Sequence, residues 1–292
     1  VGILRSLARE SSIVALEFGE SYTEQLYDVR AIRTLVQLHG RSGNFSRPIQ
    51  LLGSVPNDSW RRDQILRFKT ASSILNHGLK LKTSPKKLDN LTKSIIYHAS
   101  QSMPHTSSGY AIRTHGLVSS LNSQQFDVQT LLRYGYPLDR NDFALKKVST
   151  QEKIDNVDYH FSHSEIDRNL INYQDVYNFN SLEKYLRRSI SSIFSSAQKM
   201  KPEIIHSASN FVVGMAGAKA AKALGIPSVY EIRGFWHLTQ STKRLGYEGS
   251  DHYNLTERLE IETAKLSDHV FTITKALKDI LIENGISESK IT

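Results

Sequence analysis

Two short polar stretches near the middle of the chain hold the residues best suited to chemistry. His206, Ser207, Ser209 and Asn210 follow Ile204-Ile205, and Glu231 and Arg233 follow Val229-Tyr230. An imidazole such as His206 can hydrogen-bond a hydroxyl or a phosphate, or pack at the rim of a core. Glu231 and Arg233 share one side of an extended chain, because side chains alternate with period two. Arg233 can therefore grip a phosphate or carboxylate bidentately, or it can pair with Glu231 inside the protein; the sequence leaves both open. A third stretch, Pro104-His105-Thr106-Ser107-Ser108-Gly109-Tyr110, precedes a helical pattern. A glycine there lets the backbone approach a ligand closely, and a helix N-terminus offers free N–H groups to an anion. The same Ser-Ser-Gly is also an ordinary helix cap.

Several chemistries are disfavoured. The glycine stretch lacks the G-x-G-x-x-G of a dinucleotide site and the Gly-Lys-Ser/Thr of a P-loop. No G-x-S-x-G elbow and no Asp-x-Asp clamp occurs. His160 and His163 form a histidine pair without an evident third ligand, so no metal is expected. With no cysteine, disulfides and thiolate catalysis are excluded.

The elements that must position these groups are legible from periodicity. Ser94-Ile95-Ile96-Tyr97-His98-Ala99 reads as a buried strand, Tyr110 to Leu121 as a helix, and Phe126 to Leu132 as a second strand. Ser181 to Met200 is an amphipathic helix with Leu182, Leu186, Ile190, Ile193 and Phe194 on one stripe. Strands at 204–205, 229–230 and 270–273 alternate with helices, which predicts a parallel α/β sheet with helices on both faces. Ligands of such sheets bind outside the carboxyl ends of the strands, where all three polar stretches fall. Residues 1–90 read as a mostly helical accessory region, with helices over Leu26–Leu38 and Trp60–Leu79 and a cap at Asn76-His77-Gly78. The expected division is therefore 1–90 and 91–292. The segment from Gly135 to Asn180 carries no clear periodic signal, and its Tyr173–Tyr185 tyrosines read as packing.

The 292 residues carry a net charge of +8 and a pI near 9.4. Such a balance suits nucleic acid, an anionic membrane or a phosphorylated substrate, or serves solubility alone. No basic block or zinc-finger spacing supports nucleic acid. No run is apolar enough to span a bilayer, and no leader is recognisable at the start. The ends, Val1 and Thr292, both read as cut.

The order of Pro104 to Arg113, Arg133-Tyr134-Gly135-Tyr136-Pro137, the 204–236 stretch, Glu257-Arg258-Leu259-Glu260 and Ala264 to Thr274 resembles the amino-terminal half of family-four retaining glycosyltransferases. The resemblance covers roughly residues 92–292. It implies a Rossmann-like domain of a two-domain (GT-B) enzyme, with the carboxyl-terminal nucleotide-sugar domain and its Glu-x7-Glu lying beyond Thr292. It implies transfer of a hexosyl-type sugar from a nucleotide-sugar co-substrate to a glycan or lipid-linked acceptor, without metal or further cofactor. The setting it implies is cytoplasmic polysaccharide biosynthesis, with an anionic membrane surface as a further partner. Ser108 and Gly109 match the glycine loop that contacts donor phosphates. His206 matches the first histidine of a His-x-His whose second member is Ala208 here. Glu231 and Arg233 match a Tyr-Glu-x-Arg-Gly form that lines the cleft. The resemblance thus gives Arg233 and His206 as catalytic, with Ser209, Asn210 and Glu231 binding substrate. The alternative is a non-catalytic Rossmann-like binding or scaffold module.

Overall fold

The computed structural model describes residues 1–23, 28–140, 149–162, 176 and 179–292. The chain divides into two units, the first comprising Val1–Leu79, Asn178–Asn180 and Trp236–Arg258, the second comprising the remainder.

The first unit is helical: α1 (Gly2–Glu10), α2 (Ser12–Ser21), α3 (Val29–Ser42), α4 (Ser46–Leu51) and α5 (Ser59–His77). Its caps are written in the sequence. Asp28 and Asp58 accept the first-turn N–H groups of Arg30 and Arg61, at 2.8 and 2.9 Å, as short polar side chains do at helix starts. Gly43 and Gly78 end α3 and α5 at positive φ. A polar cluster ties α2, α3 and α4 together, Glu20 accepting from Arg47 and lying 2.6 Å from His39. The observed division differs from a single cut near residue 90. Residues 236–258 join the first unit because Asp251 accepts the Phe45 N–H at 2.6 Å and the His252 N–H reaches Gly43 O at 2.9 Å.

The second unit holds β1 (Ser94–Ala99), α6 (Gly109–Ser123), β2 (Asp127–Leu132), β3 (Gln151–Ile154), β4 (Val157–His160), α7 (Leu182–Met200), β5 (Ile204–Ala208), α8 (Phe211–Leu224) and β6 (Ser228–Ile232). Then follow α9 (Trp236–Ser241), which lies in the first unit, α10 (Asp251–Leu266), which begins there, β7 (His269–Thr272) and α11 (Lys275–Glu283). Seven strands form one sheet in the order β3-β4-β2-β1-β5-β6-β7, parallel throughout except for β3 against β4. This is the Rossmann-like parallel α/β sheet that the alternation of strands and helices predicts. The central strands are buried on both faces and therefore read as nearly unbroken apolar runs. The expected stripe of α7 is buried as Leu182, Leu186, Ile190, Ile193 and Phe194.

Helix α8 lies unusually close to the sheet. A Cβ at Gly214 would stand 2.4 Å from the Tyr230 ring, and one at Gly217 2.0 Å from Ser207 Oγ. The β3–β4 hairpin is not anticipated by the sequence reading. Among the described residues no helix is long and apolar enough to cross a membrane.

Candidate functional site

Strand order reverses between β1 and β5: the chain passes from β1 to β2 on one side, and β5 and β6 extend the other. The crevice outside such a reversal is where open α/β sheets bind ligands. The β1–α6 loop, the β5–α8 loop and the end of β6 all meet there.

The β1–α6 loop is held from below by the Arg133–Pro137 motif. Tyr136 Oη donates to Ser102 O at 2.8 Å and lies 2.8 Å from Thr106 Oγ1. Arg133, paired with buried Asp139 at 2.9 Å, lies over the Tyr136 ring. The loop ends in Ser108, whose Oγ accepts the Ala111 N–H at 3.3 Å as the cap of α6. Gly109 and Tyr110 follow as the first helical residues, where N–H groups have no intrahelical acceptor. Gly109 is exposed, its φ is not in the left-handed region, and an added Cβ would meet nothing within 4 Å. Neither local packing nor backbone conformation therefore demands glycine there.

On β6 the Glu231 carboxylate is buried and receives four groups. Tyr97 Oη donates to Oε2 at 2.5 Å and Arg233 Nε to Oε1 at 2.8 Å. Arg113 Nε approaches Oε1 at 3.3 Å, and His206 Nε2 stands 3.3 Å from Oε2. The His206 nitrogen is near but off line, so it makes no aligned hydrogen bond. Burial by itself would raise the Glu231 pKa. The His206 ring and the Arg233 guanidinium, with the Tyr97 hydroxyl, outweigh burial and hold it well below the usual carboxylate range. Burial, with Glu231 beside it, pushes the Tyr97 hydroxyl far up, so Tyr97 is a donor and not a phenolate.

Arg233 spends its donors inside the protein. Beyond Glu231, Nη1 donates to Tyr110 O and Thr114 Oγ1, each at 3.0 Å, and Nη2 to Tyr97 Oη at 2.7 Å. Of the two readings left open by the sequence, the internal Glu231–Arg233 pair is the one present. The physical reason is burial: Arg233 is 8% exposed, and a desolvated guanidinium needs a carboxylate and satisfied N–H groups. Glu231 and Arg233, which the resemblance gives as substrate-binding and catalytic, are buried and paired with each other at the end of β6.

The group that projects above this pair is Arg113, whose side chain is 52% exposed. It sits one helical turn after Gly109, on the same face of α6. Among the described residues its Nη groups have no partner. The sequence reading missed it as a site residue. Its spacing of four from Gly109 is the only local signal.

Ser209 and Asn210 serve the loop itself. The Arg233 N–H donates to Ser209 Oγ at 2.8 Å, and the hydroxyl donates onward to Glu231 O at 3.2 Å. Asn210 Oδ1 caps α8 by accepting the Val212 N–H at 3.1 Å. Ala208, standing where a second histidine is the family habit, packs in an apolar cluster with Tyr97, Ala99 and Val118. Among the described residues no three His, Asp or Glu side chains gather as a metal site requires. His163 of the histidine pair lies outside the described residues.

Residues 159–292 match the family model described as Glycosyltransferase Family 4. The resemblance read from the sequence therefore holds over a little under half of the chain. The matched region carries His206, Glu231 and Arg233 and begins after Ser108, Gly109 and Arg113. Among solved structures the chain is similar to the UDP-GlcNAc 2-epimerase from Methanocaldococcus jannaschii, with 14% identity, 69% of this chain and 45% of that chain covered, and a TM-score of 0.41. It is also similar to Phytolacca americana UGT2 complexed with UDP-2fluoro-glucose and pterostilbene, with 14% identity, 70% and 53% coverage, and a TM-score of 0.43. The chain thus spans about half the length of these structures. No curated protein matches it.

Proposed function

We propose that this chain is the acceptor-side, amino-terminal part of a glycosyltransferase that moves a sugar from a nucleotide-sugar donor to a glycan or lipid-linked acceptor. One observation carries the reading. At the strand-order reversal, the free N–H groups of the α6 N-terminus and the exposed Arg113 share a helix face, with Arg113 3.3 Å from Glu231 on the family-matched part of the sheet. In this reading the N–H groups of Gly109 and Tyr110 and the guanidinium of Arg113 receive the departing diphosphate. Preorganised donors aimed at developing charge are usually the largest catalytic term. A fixed cation in that place lets the transfer proceed without a metal, and an attack guided from the leaving-group side retains configuration.

The remaining residues divide by exposure. Glu231 aligns Arg113. Arg233 and Tyr97 keep Glu231 ionised and in place, so Arg233 is a positioning residue. Of the His206 nitrogens only Nδ1 is left to meet an acceptor hydroxyl, since Nε2 is buried beside Glu231. The test is calorimetric titration of the full-length protein with UDP-, GDP- and ADP-sugars. Binding of one donor, weakened about tenfold or more by Arg113→Gln, is the expected outcome, since a hydrogen bond to a charged group contributes roughly 1.5–3 kcal/mol.

A second reading, a non-catalytic binding or scaffold module, draws on Ala208 and on the internal use of the Arg233 donors. Absence of binding to every nucleotide sugar would favour it.

A further inference from the structure

A separate group of cations lies in the helical unit. Helices α1 and α3 border a cavity of about 240 Å³ whose lining includes Arg5, Arg9, Arg41, Gln37 and Thr34. The arginines converge through helical spacing. Arg5 and Arg9 are four apart on α1, and Thr34, Gln37 and Arg41 follow the three-and-four rhythm of one face of α3. Among the described residues, none of the three guanidinium groups makes a hydrogen bond or an ion pair. Three other arginines of the same unit are paired, Arg30 with Asp28, Arg33 with Asp58 and Arg47 with Glu20. Like charges four apart on a helix repel, so folding gains nothing from this grouping.

We propose that this cavity binds a small phosphorylated or diphosphorylated group. Guanidinium forks match phosphate oxygens bidentately, and the Gln37 amide adds a neutral donor. The volume is below the roughly 300–1,000 Å³ of sites that enclose drug-sized ligands. A phosphate, a diphosphate or a phosphorylated headgroup fits. The site is independent of the glycosyltransferase reading and stands or falls without it. Its ligand is either a soluble phosphate ester or the headgroup of an anionic lipid, and the chemistry of recognition is common to both.

The probes are inorganic pyrophosphate, titrated calorimetrically into the full chain, and vesicles of phosphatidylcholine with or without phosphatidic acid, read by co-sedimentation. Pyrophosphate is expected to bind at low ionic strength. Arg9→Gln and Arg41→Gln should each weaken it about tenfold or more, Arg41→Lys by less, and the charge-matched control Lys184→Gln hardly at all. Melting temperatures of the glutamine variants should stay level or rise, because like-charge repulsion is relieved. Vesicle binding that needs phosphatidic acid, competes with pyrophosphate and is lost in Arg41→Gln assigns the site to a lipid headgroup. Pyrophosphate binding without vesicle binding assigns it to a soluble ester. Absence of binding to either probe, or equal losses in Lys184→Gln and Arg41→Gln, overturns the proposal.

Discussion

Glu231 collects Tyr97, Arg113, His206 and Arg233 around one buried carboxylate, so its removal is the sharpest single-residue test of the floor of the site. Glu231→Gln strands the Arg233 guanidinium and should cost about 3–5 kcal/mol, as breaking a buried pair does. Arg113→Gln, at a half-exposed position, should cost under about 1 kcal/mol. Urea midpoints of the two variants check the contrast. Glu260 adds a pH signature. It is fully buried, and burial pushes its pKa up to about 7, against hydrogen bonds from Tyr230 Oη and the Phe211 N–H at 2.5 and 3.2 Å. A carboxylate raised on folding contributes stability that is fully present below its unfolded value of 4.5 and is lost as pH rises through about 7. The loss should be on the order of 3 kcal/mol, at about 1.4 kcal/mol per unit. Glu260→Gln should flatten the fall in stability between about pH 4.5 and about pH 7, the window between the unfolded and folded values, in urea titrations. Buried His98 has the opposite sign: burial lowers it to about 4, so its contribution is lost as pH falls below its ordinary 6.5. The chemistry-bearing residues of strands β5 and β6 were legible because they interrupt apolar runs. Arg113 was not, since only its meeting with Glu231, 118 residues on, distinguishes it from any solvated helix arginine.

At the scale of elements, two glycines at helix starts make opposite predictions. Gly214→Ala drives a methyl into the Tyr230 ring and Thr263, an overpacking that should cost about 1–3 kcal/mol. Gly109→Ala meets open space and should leave stability unchanged or slightly raised, because alanine restricts the unfolded chain. Thermal melts of the two variants separate a glycine that packing requires from one that it does not. The parallel strands were readable as short β-branched runs between helices, and their observed ends fall within a few residues of the expected ones. The β3–β4 hairpin escaped because Gln151-Glu152-Lys153-Ile154 is an exposed edge with no apolar run. Its one signal is the two-residue turn Asp155-Asn156, with Asp155 at φ 52°, a residue type that tolerates left-handed backbone in hairpin turns.

At the scale of the whole molecule, the sequence conveyed a helical part and a parallel-sheet part, but not that residues 236–258 cluster with the helices. Asp251 accepting the Phe45 N–H, His252 donating to Gly43 O and the Phe45 ring against His252 are among the contacts there, and no periodicity encodes them. The family match adds the sheet's carboxyl-terminal half, and the geometry adds the α6 terminus and Arg113 on the same edge. Together they make nucleotide-sugar-dependent transfer the central claim. It is tested most directly by nucleoside diphosphate release from a panel of nucleotide sugars, using the full-length protein and its Gly109→Ala variant at equal measured stability. Release from one donor by the wild type is expected, reduced about tenfold or more by the added methyl, or about 1.4 kcal/mol of lost transition-state binding. No release from any donor, or release unaffected by Gly109→Ala, would contradict it.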